Sequence, residues 1–108
     1  MPASPDTGPP PSAIAPGLPG AELVRDGLSD LRAGRRSPSA LLVSMSSERL
    51  RAAGIDVPTA TIADAPAELH RLLERNEPAA AHAQYNALRR RLVSFCEAAE
   101  HYARRRNR

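Results

Sequence analysis

Apolar positions recur along this chain with helical period, in blocks separated by proline, glycine and short polar runs. In the longest block Tyr85, Leu88, Leu92, Phe95, Ala99 and Tyr102 follow at intervals of three, four, three, four and three residues. With Tyr85 at heptad position a, this is a continuous a/d seam on one helix. Cys96 and Ala103 widen the stripe, and Arg89 and Arg91 flank it at e and g. The block predicts a helix from Pro78 to about Arg105, ~42 Å long at 1.5 Å per residue.

Three earlier helices are predicted. Leu23, Val24, Leu28 and Leu31 share one face of a helix over Ala21 to Ala33, with Gly34 placed for a left-handed cap. Gly27 lies inside it, which weakens a helix by ~1 kcal/mol relative to Ala unless a second helix packs closely there. Ser37 as N-cap and Pro38 at the first helical position open the next helix, carrying Leu41, Leu42, Met45, Leu50 and Ala53. Ser44, Ser46 and Ser47 favour a break near Ser46, because their hydroxyls compete for backbone hydrogen bonds. Gly54 can end this helix, with Ile55 folding back onto Leu50. After a connector to Asp64, Leu69, Leu72 and Leu73 mark a helix from Pro66 to Arg75. Asn76 is expected to close it in a left-handed conformation, and Pro78 to open the long helix beside it.

The pattern therefore predicts an all-α protein: a small bundle of four to five helices with a long C-terminal helix and a disordered, proline-rich N-terminal tail. Residues 1–20 hold seven Pro and three Gly and too little apolar surface to offset ordering. The expected organisation is a tail over 1–20, a helical bundle over 21–103 and an arginine-rich end over 104–108.

Charge changes the picture at the C-terminus. All 15 basic residues are Arg. Residues 1–100 hold 11 Arg against 12 acidic residues, a formal charge of −1, and four Arg in the last eight raise the total to +3. A near-neutral body carrying a basic end lacks the broad basic face of a dedicated nucleic-acid-binding fold. Arginine pairs with carboxylate or phosphate through a planar fork, which Lys does not offer. Large apolar residues are few and Trp is absent, so a core of this size is thin and a partner would add to it.

Candidate chemistry is sparse. Cys96 is the only cysteine, which leaves no pair for an intramolecular disulfide. His70, His82, His101 and Cys96 show no ligand spacing, so no metal site and no cofactor are expected. Cys96 and His101 would sit about 140° apart round one helix, too far for a thiolate–imidazole pair. No apolar run approaches the ~20 residues of a membrane span, and no secretory signal pattern is present, so a cytoplasmic location is expected. No small-molecule site is evident.

One short motif carries a resemblance. Arg75-Asn76-Glu77-Pro78-Ala79-Ala80-Ala81-His82 has the form R-N-x5-H and resembles the R-x4-6-H motif of HEPN-type helical ribonucleases. In that family the Arg and His act on the RNA backbone at a dimer cleft. The resemblance covers eight residues, with Pro78 inside the motif, and implies RNA cleavage by Arg75 and His82.

Three functional expectations follow. The leading one is a non-enzymatic interaction module, an accessory subunit or adaptor. It would meet a protein partner or a second copy through Tyr85, Leu88, Leu92, Phe95, Ala99 and Tyr102. The same seam could instead serve as the core face of a single bundle. The second is nucleic-acid binding through Arg104, Arg105, Arg106 and Arg108, supported by Arg89, Arg90 and Arg91. The third is the ribonuclease activity implied by the motif.

Overall fold

The structure, a computed structural model, describes residues 17–106; residues 1–16 and 107–108 and the side chain of Arg106 lie outside the described part. The chain folds as a small all-α bundle. Its helices are α1 (Ala21–Arg32), α2 (Pro38–Met45), α3 (Ser47–Ala52), α4 (Ala65–Asn76) and α5 (Ala81–Arg106), with a 3-10 turn at Pro78–Ala80 before α5. Most of the expected tail falls on residues 1–16 and so lies outside the described residues.

The corner between α1 and α2 is built from local signals. Gly34, at φ 78°, lets its N–H reach the Leu31 carbonyl and lets Arg35 N–H reach the Asp30 carbonyl. This is the paired hydrogen bonding of a Schellman cap. Asp30 then organises the turn with its side chain, accepting from Arg35 Nε at 2.9 Å and Ser37 Oγ at 2.6 Å. Ser37 Oγ in turn accepts from the Ala40 N–H, capping α2.

Helix α2 occupies the centre. Ala40, Leu41, Leu42 and Val43 are all fully excluded from solvent, so at its middle the helix is buried all round its circumference. It touches α1, α3, α4 and α5. The contact with α1 is close at Gly27. A Cβ there would meet Val43 Cγ2 at 2.5 Å and the Ser39 carbonyl oxygen closer still. The glycine that weakens α1 as an isolated helix thus permits its packing against α2.

The break expected near Ser46 is present, at φ −115° between α2 and α3. α3 ends with Gly54 at φ 92°. The Ile55 N–H donates to the Leu50 carbonyl at 3.0 Å, and both side chains are buried. The connector to α4 is held from three points. The N–H of Ile62 donates to the buried Ser44 Oγ, Arg32 to the Asp56 carbonyl and Arg51 to the Pro58 carbonyl.

The turn between α4 and α5 differs from expectation. Asn76 remains helical, and the helix stops at Glu77, whose φ of −155° is extended. Pro78 explains this, since its ring excludes helical geometry at the residue before it. Pro78 then opens the 3-10 turn, and α5 begins at Ala81. With 26 residues, α5 is ~39 Å long in a molecule whose longest axis is 47 Å.

Gly27→Ala is expected to destabilise the protein by ~1–3 kcal/mol, the range for overpacking, although Ala is the better helix former. A lower urea midpoint at unchanged slope would be the signature. A raised midpoint would show that α1 and α2 can move apart without cost.

Candidate functional site

The seam of α5 divides into three parts. Leu92, Phe95 and Ala99 are buried in the chain's own core, together with Cys96. Tyr85 and Leu88 are half-buried and pack on the edge of that core. Tyr102 is 42% exposed. Tyr85 is held between helices: His70 of α4 meets its ring edge-on at 5.6 Å, and the Arg89 guanidinium lies 6.0 Å from its centroid. His70 Nδ1 lies 3.5 Å from Glu74. Burial pushes the Cys96 thiol above its ordinary range, outweighing the nearby Arg49 guanidinium.

Arginines fall into two groups. Those of the N-terminal half largely hold the fold together. Arg36 makes a two-pronged pair with Glu68 at 2.7 Å on each arm, joining the α1–α2 corner to α4. Arg49 does the same with Glu100 at 2.6 and 3.0 Å, joining α3 to the far part of α5. Arg35 pairs with Asp30, and Arg32 and Arg51 are used on connector carbonyls. These contacts hold the carboxyls of Asp30, Glu68 and Glu100 below their ordinary range. Hydrogen bonding is the first cause in each case, from Ser37, Arg36 and Arg49 respectively.

By contrast, Arg90, Arg91, Arg104 and Arg105 on α5 are exposed, with no hydrogen bond or ion pair from their side chains among the described residues. Arg104 contributes only a longer-range attraction to Glu100. Arg106 continues the helix, but its side chain lies outside the described part, as does Arg108.

Arg75 and His82 are both exposed, on either side of the Glu77–Ala80 turn in sequence. The His82 ring makes a 3.2 Å hydrogen bond with Asn86. Among the described residues no hydrogen bond joins Arg75 to His82. No group of three or more His, Cys, Asp and Glu gathers there that could hold a metal ion. No helix among them is long and apolar enough to cross a membrane.

The concave surface is a feature the sequence did not reveal. A groove of about 470 Å³ lies between α4 and α5, with Leu73, Ala87 and Leu88 as its apolar lining and Glu77, Gln84 and Arg91 among its polar lining. Gln84 donates to Glu77 there at 3.1 Å. A second hollow of about 380 Å³ on α5 includes Arg89, Arg90 and Val93. A third of about 390 Å³ shares Ala87 and Arg91 with the first and adds Pro19, Gly20, Arg90 and Ser94. Gly20 reaches α5 closely enough that a Cβ on it would meet the Arg91 carbonyl oxygen at 3.0 Å. The first and third hollows adjoin at Ala87 and Arg91, which line both, and together make up a furrow in two parts along α5. Its lining comes from three separated parts of the chain, so no local spacing could have announced it.

Comparison of the chain with family models, with curated proteins and with solved structures finds no match.

The lowered carboxyls set the sign of the acid response. Their contribution to stability is present above the ordinary carboxylate values of 3.8 and 4.5 and is lost as pH falls through the lowered values of the folded state. Glu100→Gln should cost less than ~1 kcal/mol near neutrality, the ceiling for exposed pairs. Its melting temperature should then change less than that of the parent between about pH 6 and pH 3. Parallel pH profiles for the two proteins would contradict this.

Proposed function

We propose that this protein is a non-enzymatic interaction module that presents the outer side of α5 to a protein partner. The observation carrying this reading is the contrast between the two sides of that helix. Its seam from Leu92 to Ala99 is committed to the core, while the hollows beside it gather Val93, Ala87 and arginines not engaged in ion pairs. Val93, 37% exposed, is a large apolar side chain on this outer side. Partner contact would therefore centre on residues between the seam positions rather than on the buried seam. Tyr85, Leu88 and Tyr102 remain partly accessible at its ends.

The leading reading is tested by site-specific photocrosslinking in the full chain within its native cell. A crosslinker at Val93 should give one discrete adduct, and one at Glu48, on the exposed side of α3, should give none. Adducts of equal yield at both positions, or none at Val93, would refute an α5 interface. Val93→Asp should abolish the adduct formed from a crosslinker at Arg90 without changing the melting temperature.

A second reading is supported by the exposed, adjacent Arg104 and Arg105, which continue into Arg106 and Arg108 in the sequence. This cluster suits the phosphates of a nucleic acid. If each of the four neutralised one phosphate of a single strand, log K against log salt would slope at roughly −3. Fluorescence anisotropy with a labelled single-stranded RNA should then show binding that disappears when residues 104–108 are removed. Binding that survives the truncation with the same slope would rule the cluster out.

A further inference from the structure

The furrow shared by α4, α5 and the residues preceding α1 has a composition that narrows what can lie in it. Its apolar lining, Leu73, Ala87 and Leu88, suits side chains rather than phosphates. None of its lining residues is aromatic, so it lacks the stacking platform that holds an unpaired base. Its charges are unevenly placed: Glu77, already engaged by Gln84, lines only the α4–α5 part, Arg90 only the part toward α1, and Arg91 both. From Gln84 to Ser94 the furrow follows eleven residues of α5, a rise of ~15 Å. That accommodates apolar anchors at i, i+4 and i+7 of a docked helix, which span ~10.5 Å.

The walls also favour a helical occupant. They are mainly helix surfaces, whose backbone groups are satisfied within the helices, so an extended peptide would find few backbone partners there. A helix brings its own hydrogen bonds and needs only side-chain contact. A second copy of this chain is a poor candidate among the described residues. The apolar faces of α1 and α4 are turned into the core, and the exposed large apolar side chains of α5, Val93 and Tyr102, lie about 180° apart round that helix and form no single stripe.

We propose that this furrow binds a short amphipathic helix of a partner protein, its apolar stripe on Leu73, Ala87 and Leu88 and its carboxylates against Arg90 and Arg91. The proposal rests on the α5 interaction reading and specifies the partner's chemistry. Hydrophobic contact supplies the attachment, and the two arginines set which end of the partner helix carries the acids. Both arginines are available for this because the fold does not use them in ion pairs of its own.

The test uses the full chain and a synthetic 16-residue helical peptide with Leu at i, i+4 and i+7 and Glu clustered at one end. The control peptide replaces each Glu by Lys. Amide shifts of Ala87, Leu88 and Arg91 should move on adding the Glu peptide and not the Lys peptide. Ala87→Glu and Arg91→Glu should each weaken binding at least tenfold, and added salt should weaken it in the parent. Both positions are exposed, and unchanged circular dichroism melting would confirm that the variants fold. Absence of shifts, equal binding of the Lys peptide, or full affinity in Ala87→Glu would overturn the proposal. Shifts at Ala87 and Arg91 produced by Ile14→Asp would overturn it too, by assigning the furrow to this chain's own N-terminus. Shifts produced by dilution would assign it to a second copy. The α5 reading is judged separately, since a Val93 adduct can persist when the furrow stays empty.

Discussion

The bundle depends on excluding water from every side of α2. Four consecutive apolar residues, Ala40 to Val43, have no exposed surface, so this eight-residue helix must be surrounded. α1 lies against it through the gap left by Gly27. The connector crosses over Ser44, whose buried hydroxyl is satisfied by the Ile62 N–H. α4 and α5 complete the enclosure. A short helix buried in this way has little stability of its own and exists because its neighbours are placed round it.

That arrangement accounts for the uneven use of charge. A small core contributes only ~25 cal/mol per Å² of apolar surface buried, and much of this chain's apolar count is alanine. Arg36–Glu68 and Arg49–Glu100 join elements 32 and 51 residues apart, fixing the bundle at two of its margins. Such exposed pairs are individually weak, but their bidentate geometry specifies which helices meet. Glu68 and Glu100 are taken up in these pairs, whereas Arg90, Arg91, Arg104 and Arg105 of α5 enter no ion pair among the described residues. Uncompensated positive charge is thereby concentrated on one helix, although residues 1–100 together are close to neutral.

The helix that serves the core also carries the surface proposed for a partner. Its buried seam anchors it through Leu92, Phe95 and Ala99, and its length exceeds what the core requires. The long outer side is consequently held in place by packing elsewhere on the helix. A docking surface of this kind loses little conformational freedom when a partner arrives, which favours binding even where the contact area is modest.

Much of the fold was legible in the sequence because its signals are local. Ser37 with Pro38, Gly34, and Gly54 followed by Ile55 announce caps within a few residues of where they act. The three-four spacing from Tyr85 to Tyr102 marks α5 and its apolar stripe. The sequence also isolated the arginine cluster at the C-terminus. It misjudged Asn76, because the proline two residues later acts on Glu77 and moves the stop. It did not decide whether the seam faces a partner or the chain's own core. That required α2 and α3 to be placed against it, and periodicity is the same in both cases. Nor could it show the furrow, one part of which is lined by Leu73 with Leu88 and the other by Gly20 with Arg91, from distant parts of the chain. Local chemistry determined the helices and their ends; long-range packing alone decided which of their faces meet water.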